Sequence, residues 1–319
     1  MMRRSPRRPR PAPDVTVLIP WGGSRRHLAA TLWGLAGQRL GGTRMEVVVI
    51  RCPSAEGRGG PVEVPARRLA VRWTGFERPG FAPAGARNRG LAAARGDLVV
   101  SLDDDMVVPP WFVAAHLRRH RAGRVATFGL RRFIQLPDGD GDGAAGPGIH
   151  GRLAARPDVP ASASNRPGHR ADWRAAEAPV VHVHPHPYHL FHGCNIAYRR
   201  ADAERAGGWC EDFDGAYGYE DVDFGARLHA AGAAITWVPA AGALHLEGDA
   251  AVAVARKADR SANLRLVSAR VPGYGEFRHR GSSATRLATS TGAPSNVRSS
   301  ARNRGGGYAA GTAAAAHAR

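Results

Sequence analysis

Only one lysine, Lys257, stands among the 45 cationic side chains of this 319-residue chain. An arginine bias that complete, beside abundant alanine and glycine, reflects genome base composition, here that of a GC-rich bacterium, rather than selection for phosphate contacts. Cysteine is almost as scarce. Cys52, Cys194 and Cys210 are odd in number and widely spaced, with no CxxC pair, which excludes a disulfide framework and a zinc ribbon and makes a reducing cytoplasm the expected compartment. No apolar run approaches the ~20 residues that cross a bilayer. The stretch from Val15 to Ile19, stopped by Pro20, is shorter than the apolar part of a signal peptide, so no export is expected. Repeats of fixed period are absent as well.

What is present is ordinary for a globular chain: 43% hydrophobic and 23% charged residues, enough for one large α/β domain or two small ones. The formal net charge of +18 invites a nucleic-acid reading until it is divided along the chain. Residues 1–14 carry +4 and residues 256–319 carry +10, leaving +4 for residues 15–255. Basic, solvated tails explain that distribution, so no specific nucleic-acid partner is expected. Such tails suit at most a peripheral contact with an anionic membrane.

Val15 to Ile19 reads as a buried strand. Ser24 then caps a helix whose Leu28, Leu32 and Leu35 share one stripe. Glu46 to Ile50 and, more weakly, Leu69 to Trp73 read as further strands, and Ala84 to Ala94 as a helix ending before Gly96. Asp97 to Leu102 is another buried strand. This alternation predicts a βαβ series with a mainly parallel sheet. From Pro137 to His189 the pattern dissolves. It resumes at Phe191, passes a helix from Glu220 to Ala231 and a strand from Ala234 to Val238, and continues into a helix from Ala250 to about Val267. Disorder is expected beyond Pro272.

Asp103-Asp104-Asp105 follows the strand containing Leu98 to Leu102, at the sheet edge where α/β folds bind ligands. In an extended segment Asp103 and Asp105 point one way and Asp104 the other. Two converging carboxylates suit Mg²⁺ or Mn²⁺, with Asp104 solvated or capping; an exposed acidic loop is the plain alternative. Glu220 and Asp221 fall at a helix N-terminus, which favours an ionised carboxylate able to take a proton from a hydroxyl. Taken alone, simple charge capping of the helix is the favoured account of them. Since neighbouring helical residues diverge by ~100°, only one of the two faces a given substrate atom. His245 becomes a cation ligand only if the fold carries it to Asp105.

Taken in order, these pieces resemble the GT-A glycosyltransferases, and within them the family-2 group of inverting enzymes. The resemblance rests on Ala86-Arg87-Asn88-Arg89-Gly90, Ala94-Arg95-Gly96-Asp97 and Ser101-Leu102-Asp103-Asp104-Asp105. Gly193-Cys194-Asn195, Gly207-Gly208-Trp209 and Glu220-Asp221-Val222-Asp223 are similar to the acceptor segment of galactosyltransferase-like members. The resemblance implies an α/β GT-A fold, Rossmann-like with a mainly parallel central sheet and flanking helices. It implies a nucleotide-sugar donor and a glycan, lipid-linked or small-molecule acceptor. Pro20, Arg87, Asn88, Asp103 and Asp104 would serve the donor; Asp103, Asp105 and His245 would hold a divalent cation, Mn²⁺ or Mg²⁺. Asp221 would act as general base and Glu220 would position the acceptor.

The chain departs from the family at Arg51, where many relatives carry an acidic residue toward the base and ribose. A guanidinium only donates, so Arg51 meets phosphate, an acidic sugar or, as favoured here, a neighbouring carboxylate. The expected organisation is a basic N-terminus (1–13), a transferase domain (14–270) and a basic tail (271–319). The domain divides into a nucleotide-sugar half (14–136), a flexible acceptor-side insertion (137–190) and a catalytic half (191–270). Two signals are set aside. The Asp138-to-Gly143 run lacks the glutamate an EF-hand needs, and His182, His184, His186, His189 and His192 read as a proline-stiffened polar loop. A sugar nucleotidyltransferase and an arginine-rich adaptor for nucleic acid or membrane surfaces are the alternatives to a transferase.

Overall fold

The computed structural model describes residues 11–53, 62, 69–134, 169–246 and 260–280. Strand β1 (Val15–Trp21) has every residue but Pro20 buried, as a continuous apolar run in a covered sheet should. It pairs in parallel with β2 (Met45–Arg51) on one side and β4 (Leu98–Leu102) on the other, and β3 (Val71–Gly75) extends the sheet beyond β2. Helices α1 (Arg25–Ala36) and α2 (Pro83–Ala93) fill the crossovers. The Ser24 hydroxyl caps α1 by accepting from the Arg26 amide at 3.2 Å, and Leu28, Leu32 and Leu35 form its buried stripe. Pro83 opens α2, where a missing N–H is no loss. Gly90 lets that helix press onto the sheet, since a Cβ there would lie 2.8 Å from the Ile50 side chain.

The central sheet has seven strands in the order β10-β6-β9-β4-β1-β2-β3. Its remaining members are β6 (Val125–Phe128), β9 (Asn195–Arg199) and β10 (Ala234–Trp237). Strand β9 runs antiparallel between β4 and β6 and so joins the early and late parts of the chain. From β1 the chain moves out to β3 and returns on the opposite side at β4. The ends of β1 and β4 are therefore the switch point where such sheets bind ligands. A second sheet, in the order β5-β11-β7-β8, contains β5 (Met106–Val107), β7 (Arg131–Ile134), β8 (His169–Arg170) and β11 (Ala243–Leu246). The other helices are α3 (Phe112–Arg121), α4 (Arg200–Arg205), α5 (Glu220–Ala230) and α6 (Ser261–Arg270).

Several boundaries differ from expectation. Of the helix expected from Ala250 to about Val267, the described part is α6, from Ser261 to Arg270; its expected start lies among residues 247–259, outside the described chain. Loss of structure does not set in at Pro272: Tyr274 is fully buried and a further helical stretch runs from it to residue 280. The Asp138-to-Gly143 run and most of the acceptor-side insertion fall outside the described residues. From Trp173 to Leu190 the insertion forms three 3-10 turns, with Tyr188, His189 and Leu190 buried.

Helix α3 escapes pattern reading because two histidines complete its buried face. His116 Nδ1 lies 2.8 Å from Thr127 Oγ1 and its Nε2 3.2 Å from Asn195 Oδ1; His120 Nε2 lies 3.1 Å from the same threonine oxygen. Burial pulls His116 down to about 3 and His120 to about 4. A depressed histidine pKa means that the unfolded chain binds the proton first. Stability is therefore complete above about pH 6.5 and falls as pH drops toward 4, by about 2 kcal/mol per histidine at pH 5. Urea midpoints measured from pH 7 to pH 5 should fall accordingly, and His116→Gln should flatten that slope.

Candidate active site

The β4 strand delivers Asp103, Asp104 and Asp105 to the switch point, and there the chain turns instead of continuing extended. The three carboxylates are held by different partners. Asp103 Oδ1 accepts from Arg87 Nη2 at 3.1 Å. Asp104 Oδ2 accepts from the Gly22 and Gly23 amides at 3.2 and 2.9 Å, pinning the loop between β1 and α1. Of the two roles left open for it, capping is the one observed. Burial, reinforced by Asp105 and Asp103, raises Asp104 to about 8 against the pull of those amides.

Asp105 Oδ1 lies 3.5 Å from His245 Nε2. Strand β11 brings the histidine there by pairing His245 with Met106, and the Leu246 amide donates to the Asp105 carbonyl at 2.8 Å. A carboxylate and an imidazole on adjacent strands form an oxygen–nitrogen donor pair that suits Mn²⁺. With Asp103 Oδ1 committed to Arg87, Asp105 and His245 are the fitting ligands. Among the described residues no three His, Cys, Asp or Glu side chains converge into a ready-made cation site. A cation here would complete its sphere with water and substrate phosphate, as Mg²⁺ and Mn²⁺ do in nucleotide sites.

Arg87 projects from α2 into the middle of the site and is 5% exposed. Its Nη1 donates to Glu220 Oε1 at 3.0 Å and its Nε to Ser101 Oγ at 3.3 Å, while the guanidinium lies 4.8 Å from the centre of the Trp209 ring. Burial alone would lower its pKa, but Asp103, Glu220 and Asp221 together hold it above the usual arginine value. One buried cation thus joins the two acidic clusters, which are far apart in sequence.

Glu220 and Asp221 open α5 after Gly218 and Tyr219, both with positive φ (83° and 71°). Burial and then Asp221 raise Glu220 to about 7, with Arg87 opposing. Asp221 Oδ2 accepts from the Gly193 amide at 3.1 Å and its Oδ1 from the Val222 amide at 2.9 Å. Gly193 is sterically required, since a Cβ would come within 2.7 Å of Arg87 Nη2.

The remaining expected site residues make other contacts. The Asn88 amide donates to the Trp209 carbonyl at 2.9 Å and to Glu211 at 2.8 Å, and its oxygen accepts from the Trp209 amide at 2.8 Å. It braces a loop rather than facing the switch point. Pro20 is half-buried in β1, opposite Ile50. Among the described residues Arg51 meets no carboxylate, the partner favoured above; its guanidinium sits 5.7 Å from the Trp21 ring and 5.9 Å from the Trp73 ring. Pattern reading missed Ser101, Trp209 and the Gly193 amide as site components, although Gly193 and Trp209 stand inside the quoted motifs. It also missed Arg131, whose Nη1 reaches Cys194 Sγ at 2.9 Å just behind Asp103. Nothing in the local sequence signals that contact.

Residues 16–205 match the model of glycosyl transferase family 2, and residues 177–247 match that of the N-terminal domain of galactosyltransferase. The chain belongs to glycosyl transferase family 2. It is 30% identical, over 231 residues and 70% of its length, to validoxylamine A glucosyltransferase of Streptomyces hygroscopicus subsp. limoneus, covering 49% of that protein. The chain spans about half the length of the curated relatives it matches. Among solved structures it resembles the mannosyltransferase PcManGT of Pyrobaculum calidifontis in complex with GDP-Man and Mn²⁺: TM-score 0.51, 17% identity, 89% of this chain and 77% of that one. It also resembles S. aureus TarS 1–349 in complex with UDP-GlcNAc: TM-score 0.50, 16% identity, 74% and 59% coverage. The fold is thus the GT-A architecture that the motifs led us to expect.

Replacing Arg87 by Met should leave Asp103 and buried Glu220 without their shared cation and destabilise the protein by about 3–5 kcal/mol at pH 7. Urea unfolding of both proteins at pH 7 and pH 5 should show a smaller gap at pH 5, where Glu220 takes up a proton.

Proposed function

We propose that this protein transfers a hexosyl group, with inversion, from a nucleotide-diphosphate sugar to an acceptor hydroxyl, using a divalent cation and Asp221 as general base. The observation that supports this reading above all others is the Asp103–Arg87–Glu220 bridge, which puts Asp221 beside the switch point. Asp221 heads a helix, where the backbone dipole favours the ionised carboxylate a base requires. The Gly193 amide orients one of its oxygens. As the acceptor oxygen bonds to the sugar's anomeric carbon, its proton passes to Asp221. The bond from that carbon to the diphosphate breaks on the opposite face, and its electron pair leaves with the diphosphate. A single displacement of this kind inverts the anomeric centre.

Asp105 and His245 would hold the cation, which as a Lewis acid would neutralise charge developing on the leaving diphosphate. Asp104, by fixing the Gly22-Gly23 loop, shapes the donor side of the switch point. Glu220, held by Arg87, is poised to position an acceptor hydroxyl. The likeness to a validoxylamine A glucosyltransferase favours a hexose donor and a small-molecule acceptor over a lipid-linked one or a glycan. The Mn²⁺ in the mannosyltransferase complex agrees with the cation.

Asp221→Asn should lower kcat by about 10²–10⁴-fold, the usual contribution of a general base, with only a small loss in unfolding midpoint from the one backbone amide left without its acceptor. Asp105→Asn should abolish the dependence of thermal stabilisation by UDP or GDP on Mn²⁺. Chelation with EDTA should stop transfer by the wild-type protein, and Mn²⁺ should restore it. Full turnover by both variants would refute the assignment. An adaptor would instead lose its binding when residues 1–10 and 281–319 are removed, whereas a transferase keeps its turnover.

A further inference from the structure

Helix α6 and the buried turn after it lie beyond both matched family stretches, which end at residues 205 and 247, yet they hold the segment that leads into the catalytic helix. Asn263 on α6 is 3% exposed, and its Nδ2 donates to the carbonyls of Phe213 and Gly218, each at 2.9 Å. Both amide hydrogens are thereby spent on the two ends of one loop. That loop touches both sides of the site. Asp214 within it accepts from the Ala84 and Gly85 amides at 2.9 and 3.0 Å, capping the helix that carries Arg87. Gly218 at its end passes into Tyr219, whose φ of 71° is costly for a side-chain-bearing residue and persists only where neighbours hold it.

Two further contacts act on the same helix. Arg270 Nε donates to Asp223 Oδ1 at 2.8 Å in the first turn of α5, and the Tyr274 ring stands edge-on to Tyr219 at 6.4 Å. Tyr274 is anchored in turn by a 2.8 Å hydrogen bond between its hydroxyl and His189 Nδ1.

We propose that Asn263 is a positioning residue for the transfer reaction: it sets Asp221 on α5 relative to Arg87 on α2 by clamping the loop that connects them. The inference rests on the transferase reading above. Asn263 touches no reacting atom, and it lies away from the Asp104–Gly22–Gly23 side of the switch point. Its loss should therefore disturb turnover and spare nucleotide binding.

Asn263→Asp keeps the shape but turns a carboxylate toward two carbonyls. Its kcat, on whichever of UDP-glucose, GDP-glucose or GDP-mannose the wild type uses, should fall about 10- to 100-fold, as for a base displaced by a fraction of an ångström. Calorimetric Kd values for UDP and GDP with Mn²⁺ should stay within about twofold of wild type, separating lost turnover from lost binding. Arg270→Met, a milder change at a partly exposed side chain, should show the same split with a smaller loss. Wild-type kcat in Asn263→Asp overturns the proposal, as does a parallel loss of kcat and nucleotide affinity. Should that variant not fold, Arg270→Met decides, and unchanged kcat there overturns it. An inactive wild-type protein refutes the transferase reading itself.

Discussion

A single buried guanidinium holds this molecule's acidic clusters together. Asp103 and Glu220 come from different layers of the fold, and two carboxylates drawn into one partly dry space repel each other and resist ionisation. Arg87 offsets both effects. It is itself tolerable in the interior only because carboxylates, a hydroxyl and the face of Trp209 surround it. Much nearby local structure follows from that requirement. The residue at 193 has no side chain because the guanidinium occupies the space. Helix α2 is small-residue-rich where it approaches the sheet, so its arginine reaches the centre of the site.

The donor half of the fold was largely legible in the chain. The apolar run from Val15, the Ser24 cap and the run before Asp103 fall where strands and a helix form, because continuous burial on both faces leaves a plain signal. Other elements were harder to read. Strand β9 and helix α3 bury polar groups, Asn195, His116 and His120, whose partners come from distant positions. No local pattern reveals such pairing. The 3-10 turns between Trp173 and Leu190 carry no periodicity long enough to detect.

Within the site, residue types were easier to foresee than directions. The Asp103–Asp105 cluster, Glu220, Asp221 and His245 were all picked out, and His245 does meet Asp105. Alternation along an extended strand gave no sign that the backbone turns at Asp104, where two glycine amides of the loop after β1 hold the carboxylate. Asn88 was misjudged for a related reason: its amide matches a backbone N–H and C=O pair at Trp209, a satisfaction that only tertiary structure shows. Arg51 found aromatic faces, which suit a weakly hydrated guanidinium as well as a carboxylate does.

The reversed strand β9 has a consequence for how such enzymes diversify. It hydrogen-bonds to β4, which leads into the aspartates, and begins two residues after Gly193, whose amide donates to Asp221. The two matched family stretches overlap across residues 177–205, and β9 sits inside that overlap. On the transferase reading proposed above, the donor and acceptor sides therefore share one piece of backbone and are not separable cassettes. A chimera that imports a new acceptor half also imports the strand that completes the donor half's sheet, so the two specificities are inherited as a matched set.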